Sequence, residues 1–256
     1  IFLVPAMNVR MWEHPSTKEN LDKLKTFGYI IIGPEIGDMA CGEYGTGKMT
    51  EPVKIVDHLD SYLKTIKNNK NLKALVTAGP THEYIDPVRF ISNKSSGKQG
   101  YEIAKSLKKN GFETTLISGP TNINYSNEIK VKKIISGKQM FSEIKKTLPT
   151  DIVVCTAAVS DFKPTIKNKH KLKKKINLDK IQLEKNPDIL EFLGKNNRHK
   201  PKLLIGFSAE TENVIGNSLE KMREKHCDII VANDVSKKET GFNVDFNEVM
   251  IIDKDG

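Results

Sequence analysis

The sequence is short of several things, and each absence narrows its function. It has only three cysteines, Cys41, Cys155 and Cys227, an odd number at wide spacing with no secretory signal ahead of them. That excludes a disulfide framework and fits a reducing cytoplasm. No apolar run is long enough to cross a bilayer, so a membrane is not an expected partner. Aromatic residues make up 7% of the chain and do not interleave with its basic residues, so the formal net charge of +9 does not make nucleic acid the expected partner. The lysines are spread along the chain, and small anionic substrates suit such a field better. No cluster of potential metal ligands is visible, and no His or Asp stands at triad spacing from Cys41.

What is present is enough for a core. A chain of 256 residues with 38% hydrophobic content can form one large domain or two smaller ones, and two is the preferred reading. The most informative stretch is LVTAGPTHEYIDPVRFISNKSSGKQGYEIAKSL, Leu75 to Leu107. An apolar strand pattern breaks at Gly79, and a helical pattern resumes only about twenty residues later, far beyond the usual strand-to-helix loop of about two to six. Tyr84, Ile85, Val88, Phe90 and Ile91 give the insert apolar surface to pack, which argues against disorder. With Gly79 at one end and Gly97 and Gly100 at the other, backbone N–H groups can approach an anion closely. The segment reads as a phosphate-handling loop.

Ahead of it, Ile1–Ala6 reads as a buried strand whose extended pairing Pro5 confines to its beginning, and PAMNVRM forms the loop after it. Asn8 stands just beyond that strand, where open sheets collect ligand-binding side chains, although spacing alone also fits a turn asparagine. Ser16 to Glu19 has the form of a capping box before a helix ending at Gly28, and Tyr29 to Ile32 reads as a strand. GPEIGDMACGEYGTGKMTEP then reads as a glycine-rich loop around Cys41, a surface loop or a lid carrying a proton donor. Thr50 is the expected cap of the next helix, and the polar run Lys67–Asn71 the expected linker. The chain opens on IFLVPAM without an initiator methionine and stops just after VMIID, so both ends read as cuts and part of the first domain is expected to be missing.

Beyond the long loop, strand patterns at Thr114–Ser118, Val131–Ile135, Ile152–Thr156, Leu203–Phe207 and Ile229–Ala232 alternate with helical ones around Met140–Leu148, Ile189–Leu193 and Val214–Met222. Such alternation predicts an α/β fold, a Rossmann-like three-layer and mostly parallel sheet. A dinucleotide site fits poorly. No GxGxxG follows the first strand, and the second ends in Ile117-Ser118-Gly119-Pro120 with no acid for a ribose hydroxyl, so an NAD(P)-dependent oxidoreductase is the runner-up.

The motifs LVTAGPTHEYIDPVRFISNKSSGKQG, TAAVSDFKP, KLKK, EKNPDIL, GFSAET and ANDVS occur in the order found in phosphopantothenate–cysteine ligase of coenzyme A biosynthesis, which the chain resembles from about Ala74 to its end. PAMNVRM and ACGEYGTGKM resemble the closing part of phosphopantothenoylcysteine decarboxylase, the flavoprotein commonly fused ahead of that ligase. The resemblance implies two domains, the C-terminal part of a flavodoxin-like, FMN-dependent decarboxylase at 1–68 and a ligase at 69–256. It also implies CTP as cosubstrate with Mg²⁺, and 4'-phosphopantothenate and L-cysteine as substrates. The carboxylate becomes an acyl-cytidylate with loss of pyrophosphate, and the amine of cysteine then displaces CMP. Ligase domains of the family dimerise, so a homo-oligomer is expected.

Carried over motif by motif, the resemblance gives Asn93 and Lys171 catalytic roles at the acyl-cytidylate and places Asn93 and Ala157 at the substrate. It assigns the nucleotide to Cys155, Thr156, Ala157, Asp161, Lys171, Pro187, Asp188, Ile189, Leu190, Phe207, Lys221 and Lys225. Read without it, Phe207 is a core residue and Lys171, Lys173, Lys174 and Lys175 a solvated charge run. Lys221 and Lys225 stand at i,i+4 on one helix face, able to meet one triphosphate or simply to face water. In the decarboxylase part Asn8 is implied to bind the substrate carboxylate and Cys41 to donate a proton. The family's upstream flavin-binding strands and histidine are not in this chain, and neither are the strand and helix that close the ligase. A catalytically inert nucleotide-binding scaffold is a further alternative.

Overall fold

The structure is a computed structural model that describes residues 1–39, 42–173, 180–196, 198–236 and 248–254, with only the backbone at 66–68. Two compact units divide the chain, Ile1–Lys67 and Asn68–Gly256.

In the first unit β1 (Phe2–Leu3) runs parallel to β2 (Ile30–Ile31), joined through α1 (Val9–Glu13) and α2 (Pro15–Thr26). Pairing is confined to the start of the strand expected over Ile1–Ala6, in keeping with Pro5, but its two residues are half-buried rather than buried. The capping box expected at Ser16 does not form. Proline at the first helical position starts α2 two residues earlier, and the His14 imidazole accepts from the Ser16 N–H at 3.3 Å. The glycine-rich stretch expected to be a loop is a hairpin, β3 (Glu35–Asp38) antiparallel to β4 (Tyr44–Lys48). Gly45 and Gly47 let it pack closely, because a Cβ on them would meet Val9 Cγ2 at 2.8 Å and Met7 O at 2.1 Å. Thr50 does not cap α3 (Pro52–Asn69); its hydroxyl is buried without a hydrogen-bond partner among the described residues. The helix continues through Asn69, so much of the polar run expected as a linker is helical.

The second unit begins with β5 (Lys73–Ala78), the hairpin β6 (Glu83–Tyr84) and β7 (Phe90–Ile91), α4 (Lys98–Lys109), β8 (Glu113–Ser118), β9 (Lys130–Lys133) and α5 (Gly137–Thr147). It continues with β10 (Ile152–Cys155), the hairpin β11 (Phe162–Pro164) and β12 (Leu183–Lys185), α6 (Ile189–Lys195), β13 (Leu203–Glu210), α7 (Val214–Lys225), β14 (Ile229–Asp234) and β15 (Val249–Ile252). Seven strands form one sheet in the order β15-β14-β13-β10-β5-β8-β9, parallel throughout except for antiparallel β15.

Period-two alternation builds the layers. Leu75, Ile117 and Val153 point to one face, where they meet Met140 and Ile144 of α5, Leu193 of α6 and Met222 of α7. Their neighbours Val76, Leu116 and Val154 point to the other, against Ala104 of α4. Strands buried on both faces read as continuous apolar runs, the mark of a parallel sheet covered by helices. Each such Leu or Ile contributes ~1.5–3 kcal/mol by leaving water. No described helix is long and apolar enough to cross a membrane.

From β5 the chain winds outward through β8 to β9, then returns to β10 and winds the other way. The loops after β5 and β10 therefore diverge, and in such sheets the crevice at that reversal is where ligands bind.

Candidate active site at the reversal of the sheet

In register across the sheet, Cys155 of β10 pairs with Thr77 of β5 on one side and Gly206 of β13 on the other. Above this row opens a cleft of about 480 Å³, lined by Thr77, Cys155, Ala157, Val159–Phe162, Lys185–Glu191, Phe207, Lys221 and Lys225. Its walls are stitched together by backbone groups. The Ala158 N–H donates to Gly79 O at 3.0 Å, the Ser160 N–H to the Thr81 hydroxyl at 3.1 Å, and the Asn186 N–H to Asp161 O at 2.8 Å. The Asn186 amide nitrogen adds a bond to Ser160 O at 2.8 Å.

Cys155, Ala157, Asp161, Pro187, Asp188, Ile189, Leu190, Phe207, Lys221 and Lys225, ten of the residues assigned to the nucleotide, come together on this cleft. Thr156 is turned away from it, its hydroxyl donating to Thr77 O at 2.5 Å. Phe207, expected to end a strand, is followed by three more residues of β13. Asp188 is the N-cap of α6, and its carboxylate accepts from the Glu191 N–H at 2.8 Å.

The two lysines of α7 are engaged. Lys221 Nζ donates to Phe207 O at 3.0 Å, and Lys225 Nζ lies 3.0 Å from Asp188 and 3.7 Å from Glu191. Burial pushes the Asp188 carboxyl up, but the Glu191 N–H and Lys225 outweigh it and hold the group below its ordinary value. The hydrogen bond that Lys225 donates to Asp188 raises the lysine in turn. Cys155 packs against the core, and burial drives its thiol up to about 12, so it is a neutral wall of the cleft and no nucleophile.

Asn93 reaches the rim, its amide nitrogen donating to Val159 O at 3.1 Å. The long loop that carries it is folded back on itself. A Cβ on Gly97, which caps α4 at φ 78°, would lie 3.3 Å from Gly79 Cα. Buried Glu83 accepts from the Gly137 N–H at 2.8 Å and fastens the loop to the start of α5. Lys171 does not line the cleft; it belongs to a strap held against the β6–β7 hairpin, where the Leu172 N–H donates to Asp86 at 3.2 Å. Asp86 and Arg89 were not singled out in the sequence, although Asp-Pro-x-Arg is a turn-forming order.

In the first unit Asn8 caps α1, accepting from the Arg10 N–H at 2.8 Å, and its amide nitrogen donates to Glu43. Cys41 lies outside the described residues, as do Lys174 and Lys175. Among the described residues no group of three or more His, Cys, Asp or Glu side chains could hold a metal ion. The space beside Gly45 and Gly47 is taken up by Val9 and Met7.

A mostly parallel sheet with a polar, lysine-flanked cleft at its reversal is an α/β domain with its cleft where such sheets take ligands. Residues 69–256 match the model of the DNA/pantothenate metabolism flavoprotein C-terminal domain, and the chain belongs to that family. Residues 1–64 match the Flavoprotein family. The chain is 40% identical over 257 residues to the coenzyme A biosynthesis bifunctional protein CoaBC of Haemophilus influenzae, and 38% identical over 260 residues to that of Bacillus subtilis. Each match covers all of this chain and 64% of the relative, so the chain spans under two thirds of their length. A crystal structure of the C-terminal domain of a CoaBC protein superposes with a TM-score of 0.60 at 39% identity, covering 73% of this chain and 84% of that one.

Proposed function

We propose that the protein is a CTP-dependent phosphopantothenate–cysteine ligase fused to an FMN-dependent phosphopantothenoylcysteine decarboxylase. One observation carries the reading: ten side chains from separate motifs line a single cleft at the sheet's reversal, with two lysines on its flank. The bifunctional relatives and the two family matches agree with it.

A carboxylate is a poor electrophile, so amide formation needs a better leaving group. In the proposed reaction a carboxylate oxygen of 4'-phosphopantothenate attacks the α-phosphorus of CTP and pyrophosphate leaves. The cysteine amine then attacks the acyl carbon, loses a proton, and expels CMP. Phe207 and Ala157 wall the base, Asp161 meets the nucleoside, and Lys221 and Lys225 exchange Phe207 O and Asp188 for phosphate oxygens. Asn93 donates to the acyl-cytidylate without adding charge, and Lys171 steadies the charge that develops there. A close donor of this kind is worth ~3 kcal/mol in a transition state. Mg²⁺ would neutralise the triphosphate.

In the first unit Asn8 would bind the carboxylate of the ligase product and Cys41 supply a proton; FMN would supply the redox chemistry of decarboxylation. The reading places the enzyme in the cytoplasm. It also makes the ligase unit a dimer. Val88, Phe90, Phe162 and Leu183 on the two hairpins are 43–58% exposed, an apolar surface suited to a second copy.

The test is to supply CTP, Mg²⁺, 4'-phosphopantothenate and cysteine and follow the products by mass spectrometry. Amide and CMP in equal amounts are expected. No amide, with tight NADPH binding, would establish an oxidoreductase instead.

A further inference from the structure

Asp86 is fully enclosed, and its two oxygens have different tasks. Oδ1 accepts from the Val88 and Arg89 N–H groups, each at 2.8 Å, which is all that an Asx turn requires. Oδ2 faces outward from that turn. It accepts from Arg89 Nε at 2.9 Å, from Arg89 Nη2, and from the N–H of Leu172 at 3.2 Å, 86 residues further along the chain. Arg89 Nη2 closes the ring by donating to Leu172 O at 3.0 Å. A second tie lies three residues before Lys171, where the Asn168 N–H donates to Ile85 O at 2.9 Å. The residue beside Leu172 is Lys171, so both ties bracket the lysine that the ligase reading needs.

We propose that Asp86, acting through Arg89 and Leu172, is a positioning residue that fixes where the strap presents Lys171. The proposal rests on the ligase reading for Lys171 but not for the tie itself. A long flexible lysine aims reproducibly only if its backbone is held, and small misplacements of a reacting group cost rate out of proportion to binding. The carboxylate is well suited to that task, because hydrogen bonds to an ionised acceptor are shorter and stronger than neutral ones.

Asp86→Asn separates the two tasks. An amide oxygen still serves the turn, while the amide nitrogen confronts the Arg89 and Leu172 donors. In the intact protein, hydrogen exchange at Leu172 should accelerate by at least about tenfold, with Val76 and Leu204 in the sheet unchanged. The rate of amide formation should fall by about tenfold or more while KM for CTP stays within about twofold. Should that variant not fold, Arg89→Lys on the half-exposed partner keeps a cation but loses the fork, and the same two readouts apply. Unchanged exchange at Leu172 overturns the tie. Faster exchange with an unaltered rate, or a raised KM for CTP with kcat unaltered, overturns the positioning role. A wild-type protein that forms no amide overturns the ligase reading, and with it any role of the tie in that reaction, while the exchange experiment still decides whether the tie exists.

Discussion

Lys225 Nζ lies 3.0 Å from Asp188 Oδ2 across the mouth of the cleft, so a cation assigned to the nucleotide is neutralised by a carboxylate. On the ligase reading, a nucleotide phosphate would displace that carboxylate. The pair is partly exposed, at 23% and 42% of the side chains, and an ion pair of this kind holds a fold together by only ~0–1 kcal/mol. Lys225→Met should therefore leave the urea midpoint almost unchanged while raising KM for CTP by about tenfold, equivalent to ~1.4 kcal/mol of lost binding. Steady-state kinetics beside urea unfolding checks both halves.

The same carboxylate caps α6. Asp188→Ala should cost ~1 kcal/mol, because the Glu191 N–H loses its acceptor, whereas Asp188→Asn keeps the cap and should cost less. Urea denaturation of the two variants separates capping from ion pairing.

Gly100 sits where α4 meets the sheet. A Cβ there would lie 2.3 Å from Thr156 Oγ1 and 2.6 Å from Ala78 Cβ. Helix propensity alone favours alanine by up to ~1 kcal/mol, but overpacking of a buried contact costs ~1–3 kcal/mol. Gly100→Ala should thus be destabilising despite its helical position, and calorimetry should show a lowered Tm.

Much of the sheet was legible because its strands are buried on both faces and so run apolar without interruption. The lining of the cleft was legible for a different reason: its residues fall in short motifs at strand ends, and the resemblance supplied their roles. Asp86 was not legible, since its decisive partner is 86 residues away and only the fold brings Leu172 to it. The β3–β4 hairpin was hidden by glycines, which carry little strand signal, although Gly45 and Gly47 are there because Val9 and Met7 leave no room for a side chain. The bond of the Thr156 hydroxyl back to β5 was not legible either, since only the fold brings Thr77 O beside it.

The hydrogen bonds from Arg89, chiefly, hold the Asp86 carboxyl far below the ordinary carboxylate range despite its burial. A lowered folded value contributes stability that is fully present above the unfolded value and is lost as pH falls through the folded one. The difference in stability between wild type and Asp86→Asn should be flat from roughly pH 5 to 8 and shrink only below about pH 4. Urea titrations across that range would show it, and a difference that vanishes near neutrality would contradict it.

Cys155 and Cys227 are pushed to about 12 and about 11, chiefly by burial. With a thiolate fraction on the order of 10⁻⁵ to 10⁻⁴ at pH 7, neither should react with iodoacetamide in the folded protein. Both should label once urea unfolds it. Mass spectrometry of the alkylated peptides reads the outcome.

The central claim, that this cleft activates a carboxylate with CTP, is tested most directly by withholding the amine. With CTP, Mg²⁺ and 4'-phosphopantothenate but no cysteine, a rapid-quench measurement should show a burst of pyrophosphate approaching one equivalent per site, with CMP released only when cysteine is added. Pyrophosphate that never forms without cysteine, or a burst that survives unchanged in Lys221→Ala with Lys225→Met, would contradict it.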